Sequence, residues 1–135
     1  MYLLDTNVVS ELRRPRPHGA VLAWLQTVAD KDLHLSAVTI GEIQAGIEIT
    51  RDQDVAKAAE IEAWLTRVAA TYNVLALDAL VLRAWARLMH RRSITVFEDA
   101  LIAATAQVYQ FTVVTRDVKD FTPLGVKIFN PFKFA

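Results

Sequence analysis

The sequence predicts an α/β fold, a three-layer α/β/α sandwich built on a short, mostly parallel sheet. Its strand-like segments are short and continuously apolar, which is typical of strands that helices bury on both faces. Between them lie longer segments whose apolar residues recur every three or four positions, the spacing of one helix face. The 135 residues contain no repeat, linker or low-complexity stretch. We therefore expect one domain spanning residues 1–135.

Four segments have the composition of buried strands, and a fifth is a candidate edge strand. The first runs straight into an acid, Asp5, and the edge strand is ended by Asn130 and Pro131. The predicted strands are 2–4, 33–36, 74–77, 112–115 and, at the edge, 126–129.

Helical spacing fills the intervals between these strands. The first helix must stop before Pro15 and Pro17, because proline cannot continue it. Asn73 suits the C-cap of the fourth helix, and Asp78 the N-cap of the fifth. The predicted helices are 7–12, 18–28, 39–50, 54–72, 79–92 and 95–109, the last being unusually rich in alanine.

Composition excludes several classes of protein. There is no cysteine, so disulfides and thiolate metal sites are excluded. The formal net charge is zero, so the chain lacks the strongly basic character of many nucleic-acid-binding proteins. No secretory signal and no apolar run of membrane-spanning length is visible, and we expect a cytoplasmic protein without a membrane partner. The hydrophobic fraction of 53% hints at an oligomer.

Four carboxylates stand out by their positions. Asp5 and Asp117 follow predicted strands, while Glu42 and Asp99 lie at the start of predicted helices. In a parallel sheet these positions share one edge, where ligands bind. Ionised carboxylates brought together repel one another unless a cation binds them, and oxygen ligands suit a hard divalent ion. The pattern therefore suggests metal-assisted phosphodiester hydrolysis.

Each acid also has a structural interpretation. Thr39 and Glu42 match a capping box, as do Thr95 and Glu98, and capping is the better explanation for Glu98. Asp117 could be an N-cap with Asp120 in the first turn, and Asp5 a turn residue. Three polar neighbours, Thr6, Asn7 and Thr115, could position water or a carboxylate at the same edge, although Thr6 could equally cap the first helix.

Several segments resemble a PIN domain, and most closely the VapC or FitB-like toxins of bacterial type II toxin–antitoxin modules. The Asp99 segment is the most specific of them, and the match spans the whole chain in order. The matching segments are 4–7, 36–46 with Glu42, 98–106, 114–121 and 126–132.

The resemblance implies an endoribonuclease that depends on Mg²⁺ or Mn²⁺. Its acidic quartet would map onto Asp5, Glu42, Asp99 and Asp117, and Asp120 is a possible substitute for the fourth. It also implies a homodimer and a cognate antitoxin whose C-terminal arm covers the site. Operator DNA would then be bound through the antitoxin.

An acidic site that cuts RNA needs cations nearby to hold phosphates. Arg116 and the loop of Arg13, Arg14 and Arg16 are the preferred candidates, ahead of a stripe on the fifth helix that we interpret as a solvated face. The stripe consists of Arg83, Arg87 and Arg91. We interpret the three tryptophans first as core or dimer contacts and only second as platforms on which bases stack. They are Trp24, Trp64 and Trp85.

Two alternatives stay open at the level of sequence. A phosphatase or receiver domain could use Asp5 as a phosphoryl acceptor, but Asn7 stands where the familiar phosphatase pattern has a second Asp. A receiver domain would also have a Lys directly after the last clear strand, and none is there. A scaffold that binds RNA or protein without turnover is the non-catalytic alternative, and retention of all the acids speaks against it.

Overall fold

A five-stranded, wholly parallel sheet forms the centre of the protein in the computed structural model, which describes residues 1–135. The strands are β1 (Tyr2–Leu4), β2 (Leu33–Ser36), β3 (Asn73–Leu75), β4 (Thr112–Val114) and β5 (Ile128–Phe129). Their order across the sheet is β3-β2-β1-β4-β5. The first strand in sequence is therefore the central one, with β2 and β4 on either side.

Seven helices connect the strands. They are α1 (Thr6–Glu11), α2 (Gly19–Leu25), α3 (Ala37–Arg51), α4 (Val55–Thr71), α5 (Ala79–Met89), α6 (Phe97–Tyr109) and α7 (Val118–Phe121). None of them is both long and apolar enough to cross a membrane.

Both faces of the sheet are buried. Leu4 and Val114 face a cluster that includes Val8 and Val9 of α1, whereas Leu3 and Val113 face a cluster containing α6 and α7 residues. Successive strand residues point to opposite faces, so two adjacent leucines of β1 serve two separate cores. This explains why the strands are apolar throughout, and it confirms the predicted α/β/α sandwich.

Some element boundaries differ from the predicted ones. Strand β3 begins at Asn73, which is therefore not a helix C-cap; its side chain instead donates to the Leu33 carbonyl at 3.3 Å. Helix α6 begins only at Phe97, because a 3-10 turn occupies Ile94–Val96. The short helix α7 is absent from the six predicted helices, since its four residues are too few to show a period, although the sequence offers Asp117 as an N-cap at this point.

Candidate active site

The carboxyl edge of the sheet gathers polar side chains from several elements. Asp5 follows β1 directly, and Thr115, Arg116 and Asp117 follow the neighbouring strand β4. Because β1 and β4 pair in register, with Leu4 opposite Val114, the residues after them meet at one place.

Asp5 is the most firmly held of the four acids, and it is only 5% exposed. Its Oδ2 accepts hydrogen bonds from the Thr115 hydroxyl at 2.8 Å and from Asn7 Nδ2 at 3.1 Å, and its Oδ1 accepts from the Thr6 N–H at 2.8 Å. Burial raises the pKa of Asp5, the hydrogen bonds from Thr115 and Thr6 oppose that rise, and nearby Asp117 adds to it. Asp5 also occupies the N-cap of α1, so the capping role belongs to Asp5 and not to Thr6.

Asn7 links Asp5 to Asp117. Its Nδ2 also donates to Asp117 Oδ2 at 3.0 Å, while its Oδ1 accepts the Arg116 N–H at 3.3 Å. The Thr115 hydroxyl accepts the Asp117 N–H at 2.9 Å. Although Asp117 stands at the start of α7, its side chain makes no capping bond. Its carboxylate is therefore directed to the edge by Asn7.

Glu42 reaches the edge through two threonines. The Thr6 hydroxyl donates to Glu42 Oε1 at 3.0 Å and lies 3.0 Å from the Thr39 hydroxyl. A hydroxyl carries one proton, so Thr39 must be the donor to Thr6. The alternative interpretation of Thr39 and Glu42 as a capping box is wrong, because α3 begins at Ala37 with Ser36 as its cap. Burial, followed by neighbouring Glu98, raises the pKa of Glu42 to about 7.

Asp99 lies in the first turn of α6, next to Glu98, which the sequence analysis interpreted as a helix cap. Burial raises the pKa of Asp99 to about 6, with further contributions from Asp5 first and then from other acids. The predicted Thr95–Glu98 capping box is also wrong, because α6 starts at Phe97 without a side-chain cap. Glu98 instead lies near Glu42 and contributes to the raised pKa of that side chain.

Negative charge accumulates at this edge without neutralisation. The ion pairs of the structure involve other groups, namely Arg14 and Arg116 with Glu11, and Arg51 with Glu48 and Glu62. Asp120 is exposed and adds to the raised pKa values of Asp5 and Asp99. As placed, no three of the acids are close enough to bind one ion together. An oxygen-only set of crowded carboxylates nevertheless has the chemistry that a hard divalent cation requires.

Arg116 does not point into the acidic cluster. Its guanidinium lies 3.7 Å from the centre of the Phe132 ring, and Nη2 is 3.9 Å from Glu11 Oε1. Glu11 is 5% exposed and accepts the His18 N–H at 3.0 Å. Sequence reasoning gave no role to Glu11 or Phe132, since neither stands in a pattern that marks it as functional. It interpreted Thr39 and Glu98 only as members of capping boxes.

The fold and this edge place the chain in a class of parallel α/β proteins that gather acids at the carboxyl end of the sheet. A model of the PIN domain family matches residues 2–123. Toxin FitB of Neisseria gonorrhoeae is 34% identical, with 98% of this chain and 99% of the relative covered. VapC ribonuclease Y4jK of Sinorhizobium fredii is 34% identical over the full length of both chains. The chain therefore belongs to the PIN domain family, among relatives of the VapC and FitB type.

Solved structures agree. The crystal structure of FitAcB from Neisseria gonorrhoeae superposes with a TM-score of 0.87 at 33% identity, covering 99% of this chain and 100% of that one. A structure of FitAB bound to an IR36 DNA fragment gives 0.79 at 32% identity, covering 100% and 98%. PIN ribonucleases generally depend on divalent metal ions, in keeping with the oxygen-only donor set.

Proposed function

We propose that this chain is a metal-dependent endoribonuclease, the toxin of a type II toxin–antitoxin pair, with residues 1–135 as one catalytic domain in the cytoplasm. The observation that carries the proposal is the crowding of Asp5, Glu42, Asp99 and Asp117 at one sheet edge with no Lys or Arg paired to them. Relatives that are named as a toxin and as a VapC ribonuclease supply the substrate class.

The same four acids would hold Mg²⁺ or Mn²⁺ once their side chains draw together, since no three of them converge on one point in the structure. Such an ion supplies polarisation of a phosphoryl oxygen and a lowered pKa of water. The chain's own residues fix the ligands: Thr115 and Asn7 orient Asp5, and Asn7 also orients Asp117. Thr6 orients Glu42 and is in turn fixed by Thr39. The helix dipole at the start of α6 favours the charge on Asp99.

Cleavage of RNA by the purified chain tests the proposal. Cleavage should require Mg²⁺ or Mn²⁺ and stop with EDTA, and Asp5→Asn and Asp99→Asn should each remove it. Asp52→Asn is the matched control, because Asp52 is exposed at the end of α3 and forms no ion pair. Full metal-dependent cleavage by both site variants would show that the site is assigned wrongly.

The proposed protein partner is a cognate antitoxin that covers the acidic edge and carries the DNA-binding surface. Support comes from the related FitAB assembly, which was solved on a DNA fragment. Co-expression with the antitoxin, which we expect a small open reading frame beside this gene to encode, should yield a complex in which cleavage is suppressed. The complex should shift DNA from its own promoter and the isolated chain should not. A shift by the isolated chain would contradict this assignment.

A homodimer is proposed on the exposed apolar side chains of the α5–α6 side. Leu80 and Leu82 of α5 are 63% and 41% exposed, Ile94 in the following 3-10 turn is 73% exposed, and Phe97 at the start of α6 is 39% exposed. A large contiguous apolar patch on a surface marks an interaction site. Light scattering should give twice the chain mass of 15.1 kDa, and Ile94→Asp with Leu82→Asp should give the monomer. A monomeric wild type would refute it.

The phosphoryl-acceptor alternative has no support in the geometry. Asn7 donates hydrogen bonds from its side-chain amide to Asp5 and Asp117. An amide cannot take up and release protons as a second carboxyl group would. A stable acyl phosphate on Asp5 after incubation with acetyl phosphate would revive it.

A further inference from the structure

A groove leaves the acidic edge at Glu42 and runs along α4, and the chemistry proposed above does not use it. Three adjoining cavities of about 340, 270 and 430 Å³ form it. Trp64 lines all three, while Thr6 and Glu42 line the first. Each cavity is close to the size of the smaller ligand pockets, roughly 300 Å³. The groove therefore opens directly onto the site and is wide enough for nucleotide-sized groups.

The walls of this Trp64 groove carry unpaired positive charge. Arg13, Lys57 and Arg67 line it, are exposed, and take part in none of the ion pairs of the structure. Beyond Glu42, the acid on its walls is Glu60. With Glu42 counted, three cations and two acids line the groove, although the whole chain is neutral. A local excess of this kind attracts a polyanion and holds it through phosphate contacts.

Trp64 provides a rigid apolar surface inside the groove. One part of its side chain packs against a core cluster containing Ile47, Ile61 and Leu65 of the α3–α4 hairpin. The remainder is accessible from all three cavities. A fixed indole beside cations is the usual arrangement for stacking a base of a single strand. Trp64 is thus more than the core contact that its helical spacing predicted.

We infer that the Trp64 groove binds single-stranded RNA on one side of the scissile bond, with a base stacked on Trp64 and phosphates held by Arg13, Lys57 and Arg67. The identity of the ligand rests on the proposed function. A polypeptide could also cover the tryptophan, but a row of unpaired cations leading to an acidic site favours a polyanion. Occupation by protein alone is the opposing outcome of the test.

Binding can be measured without cleavage. The full chain in EDTA is titrated against a fluorescein-labelled oligouridine of about 12 nucleotides, with anisotropy as the readout at several salt concentrations. Lys57→Gln combined with Arg67→Gln should weaken binding about tenfold and reduce the slope of log Kd against log salt by about 1.4, since each single-strand phosphate contact contributes about 0.7. Arg83→Gln combined with Arg87→Gln removes the same charge from exposed, unpaired positions on α5, and should change Kd less than twofold.

A second pair of variants isolates the stacking. Trp64→Leu keeps an apolar side chain without a ring and should weaken binding about fivefold or more, whereas Trp64→Phe should retain most of it. Thermal unfolding tests whether both variants fold. The charge variant alone decides the question if Trp64→Leu does not fold.

Two results separate this inference from the proposed function. Unchanged oligouridine binding by the Lys57–Arg67 double variant would overturn the groove assignment even if the chain cleaves RNA, and would leave the groove to a protein. Binding that depends on the groove in a chain that never cleaves RNA would support the groove and refute the nuclease.

Discussion

The Asp5 side of the acidic edge and the Glu42–Asp99 side are built in different ways. Both oxygens of Asp5 accept hydrogen bonds, from three donors in all. Glu42 accepts one from Thr6, and no hydrogen bond opposes the raised pKa of Asp99. Asp5 is held by uncharged hydrogen-bond donors, two from α1 (the Thr6 N–H and the Asn7 amide) and one from the residue after β4 (the Thr115 hydroxyl). On the second side, Glu42 lies in the second turn of α3 and Asp99 in the first turn of α6, and burial together with neighbouring acids raises their pKa values. Substitutions on the Asp5 side should therefore act by moving the Asp5 carboxylate. Substitutions on the Glu42–Asp99 side should act by changing which carboxyl groups are protonated.

The largest effect is expected where charge itself is removed. Asp5→Asn keeps the shape and the hydrogen bond from Thr115 but loses the negative charge, so metal-dependent RNA cleavage should fall about 10³-fold, or ~4 kcal/mol of transition-state stabilisation. Asp99→Asn should do the same from the other side. Single-turnover cleavage at saturating metal measures both. A loss below tenfold in either variant would mean that the site does not use that acid.

A smaller effect is expected when only the position of Asp5 is disturbed. Thr115→Val leaves Asp5 Oδ2 and the Asp117 N–H without their shared partner, which should cost about 2 kcal/mol of unfolding free energy and roughly tenfold to thirtyfold in cleavage.

Thr105→Val is the matched control for this variant. Both threonines are 0% exposed, but the Thr105 hydroxyl donates to the Leu101 carbonyl within α6. Cleavage by Thr105→Val should stay within about twofold of wild type. Equal losses of cleavage in the two variants would show that Thr115 acts only through general stability.

The choice between Asp117 and Asp120 is the next test. Asp117 is tied to Asn7 at 3.0 Å, whereas Asp120 acts on the site through its charge alone. Asp117→Asn should reduce cleavage about tenfold and Asp120→Asn less than threefold. The reverse order would make Asp120 the fourth member of the site.

The sequence predicted the architecture and the convergence of the acids because both follow from topology. Short apolar strands imply a buried parallel sheet, and acids after strands or at helix starts must then share an edge. Asp5, Glu42, Asp99 and Asp117 were selected in this way, and all four lie within the residues that the family model matches. That they are the catalytic ligands stays a proposal.

The contacts between these residues could not be predicted, because they depend on side-chain directions and on single-residue boundaries. Both capping boxes fitted the sequence, yet α3 begins at Ala37, two residues before Thr39, and α6 begins at Phe97, two residues after Thr95. A shift of that size turns Glu98 from a cap into a neighbour of Glu42. Arg116 likewise sits beside Asp117 in sequence, but it stacks on Phe132, a contact from the far end of the chain.

The smallest effect concerns protonation on the Glu42–Asp99 side, measured in EDTA. The pKa of Glu42 is raised from 4.5 to about 7, and that of Asp99 from 3.8 to about 6. The folded chain therefore keeps protons that the unfolded chain releases. The stability that these groups contribute is complete below pH 4 and is lost as pH rises through about 6 and about 7. Both side chains are partly exposed, so screening limits the loss to about 1 kcal/mol.

Urea unfolding between pH 4 and pH 8 measures this loss. Glu42→Gln cannot ionise, so it should flatten the part of the profile that Glu42 causes and make the chain about 1 kcal/mol more stable than wild type at pH 8. Glu60→Gln, on the exposed face of α4, should leave the profile unchanged. The opposing outcome is that Glu42→Gln proves no more stable than wild type at pH 8. In that case repulsion among the carboxylates would not distinguish the Asp5 side from the Glu42–Asp99 side. The two sides would then differ in hydrogen bonding alone.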